Sequence, residues 1–118
     1  MTELINSSST WNVVVSHYPP YSSGYHGSTD WMSWPFKEWG ASIVLSGHDH
    51  DYERFAPLDA DGRVDKIRGI RSCIVGTGGA RHTNFGAIKT GSKVRSGDTF
   101  GVLKLVLHQT GYEWEFVP

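Results

Sequence analysis

With 118 residues, eleven basic and twelve acidic side chains and a net charge of −1, the chain has room for one compact core and not two. Thirteen percent aromatics, five tryptophans among them, argue against disorder, and the near-balanced charge leaves no basic stripe of the kind nucleic acid requires. The longest apolar runs, such as residues 102–107 with Lys104 inside, are far too short to span a bilayer.

The chain opens on a short stretch with a Ser7-Ser8-Ser9-Thr10 tract that reads as a loop, in which Leu4 and Ile5 could close a helix begun upstream. Met1-Thr2-Glu3 is not the basic start of a secretory leader, and the compartment stays open. Residues 11–16 (WNVVVS) are β-branched and mostly apolar, the pattern of a strand buried on both faces. Pro19-Pro20 then ends the ladder, so His17 sits where a strand gives way to a loop. Residues 18–30 form a Gly/Ser/Pro loop rich in tyrosine, with His26 near its far end. Met32, Phe36 and Trp39 follow at i, i+4 and i+7, predicting a short helix that holds Pro35 in its first turn and stops at Gly40. Trp31, Trp34 and Trp39 read as packing residues. Residues 41–46 (ASIVLS) are a second buried strand, and Gly47-His48-Asp49-His50 leaves its end. A helix between two such strands predicts a parallel pair.

The second half changes character. Residues 59–62 (DADG) read as a turn rather than a calcium loop, because the later ligands of such a loop are missing. Residues 70–75 predict a strand in which the single cysteine, Cys73, acts as a small buried hydrophobe. Residues 76–79 (GTGG) lack the lysine of a phosphate loop and read as a tight turn near the site. Residues 85–98, with four charges and three glycines, read as a long surface loop. Residues 100–108 and 112–117 flank Gln109-Thr110-Gly111 and predict a closing hairpin.

The chemical signal lies in the histidines. His48 and His50 stand at i and i+2 behind Gly47, which lets the backbone turn sharply, and His17 ends the earlier strand. Neutral imidazole binds zinc, iron and manganese-type ions. An H-x-H pair alone does not separate a metal site from a hydrogen-bonded polar loop. Placing both histidine groups at strand ends of adjacent units favours the metal, since ligands collect there in α/β sheets.

His17 within VVVSHYPPYSSG and the run SGHDHDYERF (residues 46–55) resemble the last two metal-binding motifs of the calcineurin-like metallophosphoesterases, closest to the purple acid phosphatase-like branch. The similarity extends through GIRSCIVGTGGA (residues 69–80) and residues 98–118, and so covers nearly the whole chain. The resemblance implies an α/β fold: part of a four-layer sandwich of two β-sheets flanked by helices. Residues 1–118 would be the C-terminal portion of one catalytic domain, with a closing antiparallel hairpin. It further implies a two-metal centre, iron with zinc, manganese or iron. His17 and His48 would ligate one ion and His50 the other, while His26 would contact the substrate phosphate and protonate the leaving alkoxide. The substrate would be a small phosphate ester.

The departure from the family pattern is large. The D-x-H, G-D-x-x-Y and G-N-H motifs of an earlier half do not occur in these residues. Two cations a few ångströms apart need a bridging carboxylate to offset their repulsion. Asp49 and Asp51, flanking the histidines, are expected to face away from the ions or to hydrogen-bond their ligands. Arg54 is expected to pair with Glu53 beside the metal loop. Two readings follow: the histidine-bearing part of a phosphoesterase, or a non-enzymatic module that binds one metal or pairs with a complementary chain. With half of the sandwich absent, apolar strand surface would stand open and invite self-association.

Overall fold

The structure is a computed structural model, and it describes residues 10–29 and 40–118. Among the described residues, seven strands make two sheets: β1 (Val13–Ser16), β2 (Ile43–Ser46), β3 (Tyr52–Phe55), β4 (Arg71–Val75), β5 (Ser92–Ser96), β6 (Val102–Leu107) and β7 (Tyr112–Val117). The first five form one sheet in the order β1-β2-β4-β3-β5, and β6 pairs with β7 alone.

The β-branched runs behave as predicted. β1 and β2 pair in parallel with Val13 opposite Ile43 and Ser16 opposite Ser46. β4 extends the parallel set on the other side of β2. The helix expected before Gly40, with Trp31, Trp34 and Trp39, lies outside the described residues, as does the expected helix tail at Leu4 and Ile5. The turn at 59–62 forms through Asp59, whose Oδ1 accepts from the amides of Asp61 and Arg63. Cys73 is buried, and burial pushes its thiol up to about 11.

Two strands were not visible in the sequence pattern. β3 runs antiparallel to β4 and carries Tyr52, Glu53, Arg54 and Phe55. Its inward residue beside Phe55 is a glutamate, so hydrophobic alternation does not reveal it. β5 lies inside the stretch expected to be all loop and pairs with β3 across a bulge at Arg54/Phe55. It is at the surface, as expected, but Lys93 and Arg95 suit a charged sheet edge rather than a loop.

One face of the large sheet holds two small apolar clusters. Ala41 and Val44 pack with Val14 and Ile70, and Phe55, Leu58 and Ile74 pack with Tyr21. The β6–β7 hairpin covers part of the other face. Phe116 stacks on Tyr52 at 4.4 Å between ring centroids. Trp114 receives the guanidinium groups of both Arg71 and Arg54, 4.3 and 5.0 Å from its centre. That cover fails over β1, where Val15 is 76% exposed. The expectation that β1 is buried on both faces is therefore corrected: it is the sheet's edge, and the hairpin reaches across to β4 without sealing β1. An apolar groove of about 540 Å³ remains, lined chiefly by Val15, Leu45, Val75, Val102 and Leu103.

Candidate metal centre

Parallel register places the histidines. Ser16 and Ser46 are opposite one another with their hydroxyls 3.2 Å apart, and the Gly47 amide donates to the His17 carbonyl at 3.1 Å. The two chains thus leave the sheet tied together, and the next side chain on the second is His48. His17 Nε2 and His48 Nδ1 come to 3.2 Å. His48 is the one non-glycine among the described residues with positive φ, at 66°. This conformation costs a non-glycine residue roughly 1–2 kcal/mol, and here it folds the imidazole back toward His17.

His50 stands on a different support. Its amide donates to Thr83 Oγ1 at 3.0 Å, and its Nδ1 lies 2.7 Å from the Arg81 carbonyl. A carbonyl oxygen only accepts, so Nδ1 carries the proton and Nε2 keeps its lone pair. A ligand histidine is commonly fixed in this way by its outer partner. Residues 76–79 hold this wall in place. The Gly76 amide donates to the Asp51 carbonyl, and a Cβ on Gly76 would fall 1.9 Å from the Asp49 carbonyl oxygen.

His26 arrives from the 18–29 loop. A turn closed by the Gly27 amide on the Gly24 carbonyl, with Gly27 at φ +74°, puts Tyr25 and His26 at its tip. The His26 ring centre is 4.2 Å from that of His48. The two aspartates flanking His50 turn the other way and are fully buried. Asp49 Oδ1 accepts from the His26 amide at 2.8 Å and lies 2.8 Å from its ring Nδ1, while Oδ2 accepts from Ser22 Oγ. Asp51 has no hydrogen-bond partner on either carboxyl oxygen. Burial, then the charges of Asp49 and Glu53, raise it to about 7. Glu53 accepts from the Ser23 amide at 2.7 Å and from Ser92 Oγ. The expected Glu53–Arg54 pair is thereby corrected. Neighbours on a strand face opposite ways, so Arg54 stacks on Trp114 while Glu53 points inward.

The structure therefore gathers His17, His48 and His26, and sets His50 apart on the Arg81 carbonyl. Among the described residues no three histidine, cysteine or acidic side chains stand together at metal-binding spacing. Burial and the neighbouring His26 and His17 lower the pKa of His48, which favours the neutral imidazole a cation needs.

Residues 3–52 match the calcineurin-like phosphoesterase family. Over 69 residues, 55% of this chain, the sequence is 36% identical to an acid phosphatase of Aspergillus ficuum. The backbone superposes on a purple acid phosphatase, PPD1 from yellow lupin (Lupinus luteus) seeds, with a TM-score of 0.74 and 25% identity over 90% of this chain. These likenesses support a metallophosphoesterase of the purple acid phosphatase branch. The fold is also that of GAP50, the anchor in the inner membrane complex of Plasmodium, with a TM-score of 0.77 over 98% of this chain at 22% identity. The chain spans 11% of the Aspergillus protein, 22% of the lupin chain and 34% of GAP50. That family implies a two-metal centre, and the α/β fold expected from the motifs stands, although its described part consists of sheets.

Asp49 and Asp51 turn away from the open side as expected, and what sequence reasoning missed is that Glu53 joins them in one buried row. One signal was present: acidic residues at i, i+2 and i+4 share one side of an extended chain. Ser22, Ser23 and Gly24, which cover them, are more than 20 positions away, and no local pattern links the two segments.

Proposed function

We propose that this chain supplies the histidine donors of a two-metal centre that hydrolyses small phosphate esters. The observation that carries the reading is the convergence of His17 Nε2 and His48 Nδ1 at 3.2 Å, with His26 packed on the same ring. His17 and His48 would hold one ion and His50, through its free Nε2, the other. Imidazole donors suit iron, zinc or manganese, and iron with one of these three is the pair proposed. The donors present fit part of a coordination shell, with the bridging carboxylate coming from outside these residues. When bound, the cations supply positive charge for the phosphoryl oxygens as the ester bond breaks. His26 would carry the proton that the departing alkoxide takes up, and its position at a turn tip lets it approach the ester from the loop side.

The test is metal content together with turnover. His17→Ala and His48→Ala are each expected to lower bound zinc or manganese and hydrolysis of an aryl phosphate in parallel. Undiminished metal content in both variants would sink the reading.

A second reading draws on the open groove. With Val15 76% and Val102 61% exposed beside a sheet edge, a complementary polypeptide laid along β1 would bury apolar surface and finish the sheet. The chain would then be a module that pairs with another chain, or with itself. Sedimentation showing a monomer with no concentration dependence would remove self-pairing.

A further inference from the structure

We propose that Asp49 is the positioning residue of His26, keeping a proton on Nδ1 so that Nε2 is the nitrogen that gives its proton from the imidazolium to the leaving alkoxide and is left with the lone pair afterwards; this rests on the reading of His26 as the acid. Three observations converge on it. Asp49 Oδ1 receives both the His26 amide and the His26 ring Nδ1, each at 2.8 Å, so backbone and ring are fixed by a single oxygen. Oδ2 is held by Ser22 Oγ, which itself accepts from the Gly24 amide at 3.0 Å, and the carboxylate has no freedom to rotate away. Gly24 lies so close that a Cβ there would be 2.4 Å from Asp49 Cγ, so the loop is seated directly on this side chain.

The consequence reaches beyond a loop clamp. A carboxylate oxygen accepts and does not donate in its ionised form, so the proton of a neutral His26 resides on Nδ1 and the lone pair on Nε2. A free imidazole prefers the opposite tautomer, and the choice is therefore Asp49's. Asp49 also stands between His48 and His50 in the chain. Asp49 is fully buried while His48 and His50 are partly exposed, so the tripeptide presents two donors on its open side and the acid's holder on its buried side. The spacing between acid and ligands is then set by a single stretch of backbone: the His26 and His48 rings sit 4.2 Å apart. Orientation of a catalytic histidine by a buried carboxylate is worth orders of magnitude elsewhere.

The test is the nitrogen spectrum of the His26 ring in the 118-residue chain without metal, compared with Asp49→Ala and Asp49→Asn. Wild type is expected to show the Nδ1–H tautomer. Asp49→Ala should move the ring to the Nε2–H form. Asp49→Asn, which keeps an oxygen for Nδ1–H, should restore the wild-type pattern. An unchanged tautomer in Asp49→Ala overturns the positioning role, and so does a wild-type ring that is Nε2–H. Should Asp49→Ala fail to fold, Ser22→Ala, which frees only Oδ2, must broaden or shift the His26 ring signals, and unaltered signals overturn the proposal. In metal-loaded protein that also contains the segment supplying the bridging carboxylate, Asp49→Ala should lower kcat for an alkyl phosphate about 10–100-fold, with KM held within about twofold and Asp49→Asn recovering part of the loss. Turnover unchanged in His26→Ala would end the acid reading of His26, while the ring spectra report on Asp49 independently.

Discussion

Residues 48–54 have two faces, and the protein treats them oppositely. On one, His48, His50 and Arg54 are partly open, and their polar atoms meet other rings or a carbonyl. On the other, Asp49, Asp51 and Glu53 are fully buried beneath the loop that carries His26. The bend at residues 48–51, entered through His48 at φ 66°, and the strand β3 that follows it separate an accessible imidazole surface from a sealed carboxylate row. The sealed row is the expensive half, because buried carboxylate groups lose their hydration and need hydrogen-bond partners in its place. Asp49 and Glu53 offset the cost with hydrogen bonds, and Asp51 has none. The difference teaches that the loop over the row is held by hydrogen bonds to the carboxylates as well as by the packing of Tyr21 against Phe55.

The largest effect should come from forcing the loop off the row. Gly24→Ala would place a Cβ 2.7 Å from Asp51 Oδ2 as well as against Asp49. A destabilisation of about 1–3 kcal/mol is expected, read as a lower midpoint in urea, and an unchanged midpoint would mean that the loop does not rest on the carboxylates.

Removing the unsatisfied charge should work the other way. The carboxyl of Asp51 titrates at 3.8 in the unfolded chain and at about 7 in the folded one, so the unfolded chain binds fewer protons between those values. The stability held by the protonated form is therefore complete below about pH 4 and lost as pH rises toward about 7. Asp51→Asn is expected to gain on the order of 2 kcal/mol at pH 8 and almost nothing at pH 4, by thermal melts at both. A gain of equal size at both pH values would show that charge is not the reason.

Ser92→Ala removes the hydroxyl donor to Glu53 Oε2 and should cost about 1–2 kcal/mol. The check is a Glu53→Gln, Ser92→Ala double-mutant cycle, in which strictly additive costs would deny the coupling.

The open face gives the smallest change in stability. His48→Gly relieves a φ of 66° and should stabilise the metal-free chain by about 1 kcal/mol. The same change should weaken zinc binding, measured by calorimetry. Loss of stability instead would mean that the His17 and Tyr18 contacts outweigh the strain.

Much of this was legible in the residues. VVVS and IVLS announce two strands because β-branched apolar runs of that length have few other uses, and the proline pair after His17 marks where the first must end. The hairpin at 102–117 and the turn at Asp59 were equally local matters. The same holds for the nature of the histidines as candidate donors at strand ends. Tertiary structure decided the rest. β3 hides because its inward side chain is a glutamate that only Ser23 and Ser92 make tolerable, and those partners come from distant segments. Val15 reads as core and is exposed, since burial depends on what covers a strand and not on its own composition. The contacts of the histidines were likewise shared out by packing: the sheet register brought His48 to His17, the Arg81 carbonyl claimed His50, and a buried aspartate took hold of His26. Residue type sets which atoms can donate or accept, but only the folded chain fixes which partner each one meets.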